Sequence, residues 1–334
     1  MNVNSRDIHM PMRSWRSSQG LSRMSMIRII SVIVVLVLVL SITLAYLYMR
    51  NLSSGEHSIS TPINTTTEIN MTRSYNLLVY SAPVFSKFLE YVIPIFKNWS
   101  AEKGYAIEIQ VVYGGTGSLI NRVMISRQGD VMLFADSDFA KRALDLGLIY
   151  RDTIRPLGWQ VIAVLVPLDN PGNVTSVYDL VKPGLRVAIS DPETTPAGNV
   201  SIEILKKLGL YDSLKDRLII LPDQSYVARQ LSLKAVDAGL GWNSFYYWYP
   251  GSLKIIWLKQ EDLLYSACQV AAVLNTTSNP EIARMFVDFL ADYLRSNREW
   301  AVENGFIIDA YTLRRITPYT SIPSDKAGMC GGIG

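Results

Sequence analysis

The chain has 334 residues, of which 49% are hydrophobic and 18% charged, so it can bury one large core or two smaller ones. Its formal charge of +3 is uneven, because five arginines and one acid give the first 28 residues +4 and leave about −1 for the rest. A near-neutral body lacks the basic field that dominates binding to nucleic-acid phosphates, which argues against a nucleic-acid partner. Both histidines, His9 and His57, precede the predicted body, which excludes a Ser-His-Asp triad, a Cys-His pair and a histidine-rich zinc site there.

The N-terminal quarter of the chain predicts a membrane anchor on a polar stalk. Residues 29–48 form twenty positions without a charge, which at ~1.5 Å per residue match a ~30 Å hydrocarbon core. The arginines of residues 1–28 place that segment in the cytoplasm by the positive-inside rule, and the body outside the cell. Residues 49–75 are rich in Ser, Thr and Asn, as in a flexible stalk. A cleaved signal peptide, which would give a secreted protein, is the alternative interpretation.

Glycosylation sequons support an exported body. Seven Asn-X-Ser/Thr motifs occur in the chain, more than the one or two that chance supplies. They begin at Asn51, Asn64, Asn70, Asn98, Asn173, Asn199 and Asn275. A glycoprotein at the cell surface is therefore predicted, and this says nothing about its activity.

From residue 76 onward, a short β-branched run repeatedly meets a loop of small or hydroxyl residues and then an apolar stretch with helical period. The first unit runs from the strand at 77–80 through Ser81-Ala82-Pro83 into a helix. The second runs from an alternating strand at 107–111 through Gly114-Gly115-Thr116-Gly117-Ser118 into a helix. Alternation of this kind predicts an α/β fold with parallel sheets covered by helices, and the length allows two sheets.

The Gly-rich loop at 114–118 is the sharpest motif in the chain. Glycines let a ligand approach the backbone closely, and the helix that follows points unpaired N–H groups outward, as in an anion site. Ile120 stands where a dinucleotide fingerprint needs its third glycine, and no Gly-Lys-Ser/Thr of a nucleotide loop is present. A plain turn between strand and helix is the alternative.

Two further units follow the same plan. One joins the strand at 187–190 to the loop 191–198, and the other joins the strand at 218–221 to the loop 222–226. In parallel sheets, ligands bind beyond the carboxyl ends of the strands, where these loops lie. The loops contain almost no cationic side chains, so a ligand there would be held by neutral donors and helix dipoles.

Five segments in this order resemble the molybdate/tungstate-binding proteins of ABC importers, in the type II periplasmic-binding-protein class. They are LLVYSAPVFSKFLEYVIPIF, VVYGGTGSLINRV with GDVMLFADSDFAKRALDLGLI, ISDPETTPAG, AVDAGLGWNS and QVAAVLNTTSNPEIARMFVDFL. The resemblance covers about residues 76–307. It implies two α/β lobes joined by two crossover strands, with lobe 1 at 76–164 and 266–310, lobe 2 at 165–265 and a C-terminal tail at 311–334.

The resemblance also implies a function and a ligand-binding set. An anion, molybdate or tungstate, would be desolvated between the lobes and delivered to a membrane permease, without catalysis, a cofactor or direct coordination of the metal centre. The implied ligand-binding residues are Ser81, Ala82, Ser86, Thr116, Gly117, Ser118, Thr195, Ala197, Val227 and Trp242. Two of these positions differ from other members, since Trp242 stands where bacterial members carry a tyrosine, and Thr195, like Gly241, where archaeal tungstate binders carry a carboxylate.

Three other functions stay open at this point. The first is a binder of another anion, such as sulfate or phosphate, and the second is a surface sensor domain with the same fold. The third is an enzyme that uses Asp136 with Asp138 or Asp191 with Glu193 for acid/base chemistry. A helix-capping role for Asp136 and Asp138 is the simpler interpretation.

The two cysteines, Cys268 and Cys330, are too few for a disulfide scaffold or an iron–sulfur cluster. Cys268 lies in an apolar run, which predicts a small buried core residue. Cys330 lies in the Gly-rich end of the chain, which predicts a loose tail.

Overall fold

The computed structural model describes residues 36, 39–44 and 73–333. Residues 36 and 39–44 are helical, and they belong to the predicted membrane segment at 29–48. Within the described residues, no helix combines the length and the apolar character needed to cross a bilayer. The rest of that segment, the basic N-terminus at 1–28 and the stalk up to residue 72 lie outside the described residues, as does Gly334.

The first half of the folded body alternates strands with helices, as the repeated units predict. Pro83 begins a short 3₁₀ helix, Pro83–Phe85, which leads directly into the first α-helix. The elements are β1 (Arg73–Ser81), α1 (Ser86–Ala101), β2 (Tyr105–Tyr113), α2 (Thr116–Ser126), β3 (Val131–Phe134), α3 (Ser137–Asp145) and β4 (Arg155–Gln160).

The second half repeats the pattern and then returns to the first sheet. The elements are β5 (Ile162–Pro167), β6 (Val187–Ser190), α4 (Pro196–Lys207), α5 (Tyr211–Leu214), β7 (Ile219–Leu221), α6 (Gln224–Ser232), β8 (Ala238–Trp242), β9 (Leu253–Trp257), β10 (Ala267–Val273), α7 (Pro280–Ser296), α8 (Arg298–Glu303) and α9 (Ala310–Ile316). A 3₁₀ helix, Asn243–Trp248, follows β8.

The strands form two five-stranded sheets, one in each lobe. The order is β2-β1-β3-β10-β4 in lobe 1 and β7-β6-β8-β5-β9 in lobe 2. β1 pairs in parallel with β2 and β3, and β6 with β7 and β8, while β10 and β5 run antiparallel to their neighbours. All residues of β5 and β10 are buried, as expected for strands covered on both faces. The predicted two-lobed α/β fold is confirmed.

The chain passes between the two sheets twice. The first crossover is Val161, which separates β4 from β5, and this lies before the predicted boundary at residue 164. The second crossover lies between Trp257 and Ala267. β5 therefore belongs wholly to lobe 2, since it pairs with β8 and β9.

The C-terminal segment is packed against the body, so the prediction of a loose tail is wrong. Cys330 forms a disulfide with the buried Cys268 of β10. The Trp159 indole N–H donates to the carbonyl of Gly331 over 3.0 Å, and Ile322 pairs with Ile333 in an isolated bridge. Composition suggested mobility, but long-range contacts fix this segment.

Candidate functional site: a small cavity between the lobes

A small cavity lies between the lobes, at the ends of strands from both sheets. It is lined by residues at the start of four helical segments, by Ala135 after β3, and by Trp242 and Phe245 at and after the end of β8. The lining residues are Ala82, Pro83, Val84, Gly115, Thr116, Ala135, Thr195, Pro196, Ala197, Asp223, Gln224, Trp242 and Phe245. The cavity volume is about 20 Å³. One water molecule needs ~10–15 Å³, so the lobes leave little free space at this site in the present conformation.

Two buried side chains on the lining carry polar atoms without a partner. The hydroxyl of Thr116 makes no hydrogen bond, and neither does the amide nitrogen or the amide oxygen of Gln224. Thr116 is fully buried and Gln224 is 4% exposed. A buried polar group left unpaired costs about 1–3 kcal/mol, so three such atoms around one cavity indicate a polar ligand.

Gln224 reaches the cavity because of how α6 begins. Asp223 is the N-cap of that helix, and its carboxylate accepts a hydrogen bond from the Ser225 backbone N–H over 2.8 Å. Gln224 is therefore the first helical residue. Its amide lies over Gly241 of β8, where any Cβ would overlap the amide atoms. A residue other than glycine at 241 would displace the Gln224 side chain.

Four helical segments begin at the cavity, at Pro83, Thr116, Pro196 and Gln224. The first turn of a helix leaves N–H groups without intrahelical acceptors and carries a partial positive charge. Among residues 73–333, no lysine, arginine or histidine lines the cavity, and the only charged lining residue, Asp223, caps α6. The positive potential at this site therefore comes from backbone dipoles.

The lobes are in direct contact beside the cavity. The backbone N–H of Gly117 in lobe 1 donates to the carbonyl oxygen of Thr194 in lobe 2 over 2.9 Å. A second contact between the lobes is made by Lys87 of α1, which donates to the Trp248 carbonyl over 3.0 Å. The conformation is thus one in which the two lobes have closed around the cavity.

A larger groove of about 610 Å³ lies on the outside of lobe 1, along α7. It is open to solvent, and one of its acids, Asp288, already pairs with Arg155 over 2.6 Å. Unlike the interlobe cavity, it has no buried polar atom without a partner on its lining. The described residues also contain no group of three or more His, Cys, Asp or Glu side chains able to hold a metal ion.

Residues 77–305 match the family described as bacterial extracellular solute-binding protein. That range covers more than half of the chain. The chain belongs to this family. Since family members bind solutes, the family assignment disfavours the enzyme alternative.

Two relatives of this solute-binding protein are named as an ABC transporter substrate-binding lipoprotein and a molybdate-binding protein. It is 31% identical over 44% of its length to the Bacillus subtilis ABC transporter substrate-binding lipoprotein YvgL, covering 55% of that protein. It is 24% identical over 63% of its length to the molybdate-binding protein ModA of Rhodobacter capsulatus, covering 81% of it. The predicted resemblance to molybdate-binding proteins is confirmed. The match therefore spans about half of YvgL but most of this ModA.

Among solved structures, the sulfate-binding protein SubI of Mycobacterium tuberculosis is similar in fold. The TM-score is 0.63 at 14% identity, over 74% of this chain and 93% of that protein. At that identity the likeness concerns the fold alone.

Five of the ten predicted ligand-binding residues of this solute-binding protein lie on the cavity lining. They are Ala82, Thr116, Thr195, Ala197 and Trp242. The Thr116 hydroxyl has no hydrogen-bond partner. The Thr195 hydroxyl, in contrast, accepts a hydrogen bond from the Gly198 N–H and lies within donating distance of the Ser190 hydroxyl and the Asp191 carbonyl. Thr195 therefore caps α4 and offers its backbone and methyl group to the cavity.

The other five predicted residues lie outside the lining, each for a local reason. They are Ser81, Ser86, Gly117, Ser118 and Val227. The Ser81 hydroxyl donates to the Ala82 carbonyl, and the Ser86 N–H donates to Pro83. Ser118 is exposed, and the N–H of Gly117 is used across the lobes.

Val227 lies outside the cavity lining, whereas Gln224, which is not among the predicted ligand-binding residues, lies on it. The Val227 N–H donates to the Asp223 carbonyl within the helix, so it is not free for a ligand. The sequence indicates this helix start, because an Asp before a helix-forming run commonly caps the N-terminus of a helix. Reading Asp223 as the cap would have placed Gln224 at the free end of the helix.

Asp136 follows the lining residue Ala135 but does not line the cavity itself. It is the N-cap of α3 and accepts a hydrogen bond from the Asp138 N–H over 3.1 Å, as predicted for a capping residue. Burial, opposed in part by that hydrogen bond, raises the pKa of Asp136 to about 8, and the nearby carboxylates of Asp138 and Asp325 add to the rise. The carboxyl group is 1% exposed, which places it in the interior rather than at an acid/base site.

Proposed function

We propose that this protein captures a small tetrahedral oxyanion, molybdate or tungstate, between its lobes and delivers it to the permease of an ABC importer. The single observation that carries the proposal is the set of unpaired atoms of Thr116 and Gln224 around a cavity of about 20 Å³. The relative that binds molybdate supports the choice of anion.

The binding mechanism follows from the donors at the cavity. The Thr116 hydroxyl and the Gln224 amide N–H donate to two anion oxygens, one from each lobe, so the bound anion links the lobes. The backbone N–H groups at the start of α2, α4 and α6, including that of Ala197, serve the remaining oxygens, and their helix dipoles balance the negative charge. Trp242 and Phe245 supply aromatic surface that keeps water out, and opening of the lobes releases the anion to the permease.

A protonated anion such as hydrogen phosphate is the second candidate. The observation in its favour is the amide oxygen of Gln224, an unpaired acceptor on the same lining. A fully deprotonated oxyanion has only acceptors and leaves that oxygen unpaired, whereas a ligand hydroxyl would donate to it. Sulfate shares the chemistry of molybdate and differs in size.

The test is isothermal titration of the full-length chain in mild detergent with molybdate, tungstate, sulfate and phosphate in turn. The proposal expects tight binding of molybdate or tungstate and weak or absent binding of the other two. Thr116→Val should weaken that affinity at least about tenfold, since one charge-assisted hydrogen bond is lost, while Thr116→Ser retains it. Preference for phosphate would favour the second candidate, and no heat with any anion would overturn both and favour a sensor with another ligand.

The proposal places the binding body outside the cell, with residues 29–48 as its anchor. In the folded body, the sequon asparagines Asn98, Asn173, Asn199 and Asn275 are all exposed, as attachment of a glycan requires. Protease treatment of intact cells should release the body and leave the N-terminus with the membrane. A mature chain that begins after residue 48 would show instead that the segment is a cleaved signal.

A further inference from the structure

The C-terminal segment crosses from one lobe to the other. After α9, residues 317–333 run along the second crossover. We call this segment the strap. On the lobe 2 side, the Tyr319 hydroxyl donates to the Leu258 carbonyl over 2.7 Å, and the Tyr319 ring contacts that of Trp257. Further along, the Ser266 hydroxyl donates to the Pro323 carbonyl over 2.6 Å.

The far end of the strap is fixed to lobe 1 by a covalent bond and a buried acid. Cys330 is bonded to Cys268 of β10. Asp325, which is 4% exposed, accepts hydrogen bonds from the Ser137 hydroxyl over 2.7 Å and from the N–H groups of Met329 and Cys330. These contacts hold the residue after Asp325 at a defined place on the surface.

That residue is Lys326, and its ammonium group lies between acids of opposite lobes. The Nζ atom is 3.2 Å from an oxygen of Glu203 on α4 in lobe 2 and 3.9 Å from an oxygen of Asp138 on α3 in lobe 1. It also lies 5.6 Å from the ring centre of Tyr265 in the second crossover. Lys326 thus contacts both lobes and the connection between them.

We propose that the strap holds Lys326 as a positioning residue that stabilises the closed form of the two lobes. Without the ammonium group, Asp138 and Glu203 would face one another as like charges when the lobes close. The pKa of Asp138 reflects the attraction of the lysine and the repulsion between the acids. Burial and the carboxylates of Asp325 and Glu203 raise this pKa, whereas Lys326 lowers it. Removing the lysine therefore changes an attraction between the lobes into a repulsion.

The disulfide sets how firmly Lys326 is held. Cys330 is partly exposed, so a small dithiol can reach it. Reduction breaks the bond between the two sulfur atoms and delivers two electrons and two protons, while dithiothreitol forms its own disulfide. The strap then stays attached only through non-covalent contacts, and the closed form loses its positioned lysine.

The experiment measures lobe closure without any ligand, by hydrogen exchange of the Gly117 amide in the full-length chain. This N–H is bonded to Thr194 of the other lobe, so its exchange reports opening. Lys326→Met should raise the exchange rate about two- to fivefold at low salt, the range expected for exposed ion pairs, and high salt should remove the difference. Lys215→Met is the matched control, since Lys215 pairs with Asp212 within lobe 2 at similar exposure.

Two combined variants separate positioning from a merely structural role. Glu203→Gln added to Lys326→Met should return the exchange rate toward wild type, because it removes the repulsion that the lysine had masked. Cys330→Ser should raise exchange as Lys326→Met does, and combining the two should add little. Wild-type exchange in Lys326→Met, or no rescue by Glu203→Gln, would overturn the proposal.

The consequence for affinity rests on the proposed function and is measured separately. Lys326→Met should weaken anion binding by the factor by which it lowers the population of the closed form. If none of the four anions binds but the exchange pattern holds, the proposed ligand is wrong and the role of Lys326 stands. If an anion binds and the exchange pattern fails, only the role of Lys326 is wrong.

Discussion

The Gly117 N–H and the Thr194 carbonyl form a 2.9 Å hydrogen bond that joins the start of α2 in lobe 1 to the loop before α4 in lobe 2. A Cβ at position 117 would lie 3.1 Å from the Phe139 ring and 3.2 Å from the Thr194 oxygen. The two backbones approach this closely because glycine has no side chain. In the Gly-rich loop, this glycine therefore serves lobe closure, and the neighbouring Thr116 faces the cavity.

Gly117→Ala should lower anion affinity and change stability little. Alanine is a better helix former than glycine by about 1 kcal/mol, and this gain is offset by the crowding of its methyl group against the Phe139 ring of the same lobe. The added methyl group holds the lobes apart by a few tenths of an ångström, so anion affinity should fall about three- to tenfold. Thermal unfolding and titration calorimetry measure the two effects, with the exposed neighbour Ser118→Ala as the control. An alanine variant with wild-type affinity would show that closure does not depend on this contact.

Gln224→Met should abolish anion binding and leave the protein folded. Methionine has a similar shape but no polar amide, so the two unpaired atoms of Gln224 disappear together with the donor. The free energy of unfolding of the ligand-free protein should stay the same or rise, because unpaired buried polar atoms are unfavourable. Gln230→Met in the same helix is the control, as Gln230 does not line the cavity. A Gln224→Met variant that still binds the anion tightly would remove this side chain from the site.

The parts of the site that local sequence rules determine were predicted, and those that depend on exact helix starts were not. Thr116 follows a strand and a Gly-rich loop, so its place at a helix N-terminus could be inferred from the sequence alone. The position of Gln224 depends on α6 beginning at Asp223 and on space above Gly241, a residue from a separate strand. A shift of three residues from a helix start moves a backbone N–H from the free first turn into the helix interior, which is where Val227 lies.

The fold was predicted better than the C-terminus for a related reason. Strand, loop and helix units are recognised from periodicity within about 20 residues, and the resemblance to a known family implies the two lobes and their crossovers. The strap is held by contacts across the sequence, such as Ser137 with Asp325, 188 residues apart. Its own Gly-rich composition carries no sign of these partners.

Asp136→Asn should remove a pH dependence of stability between pH 4 and 8. The pKa of Asp136 is raised from 3.8 to about 8 in the folded protein, mainly by burial, so the folded chain keeps a proton that the unfolded chain has released. The contribution of Asp136 to the free energy of unfolding is fully present below pH 4. It falls by up to about 1.4 kcal/mol per pH unit as the pH rises to 8. Asparagine caps a helix equally well and does not titrate.

Urea unfolding at pH 5 to 9 measures this effect. The free energy of unfolding of the asparagine variant, minus that of wild type, should grow with pH up to about 8 and then level off. Parallel curves for wild type and Asp136→Asn would mean that Asp136 titrates near its ordinary pKa.

Reduction of the disulfide should lower stability as well as loosen the strap. Cys268 and Cys330 are 62 residues apart, and closing a loop of this length contributes about 4 kcal/mol in the chain-entropy model. Thermal unfolding with and without dithiothreitol should therefore show a lower Tm in the reduced protein, and Cys330→Ser should match it without reductant. Lys326→Met should leave the Tm nearly unchanged, because its ion pairs are exposed. Loss of the disulfide and Lys326→Met should then both favour opening of the lobes, but only loss of the disulfide should lower the Tm. This difference separates the role of the covalent link from that of the residue that it positions.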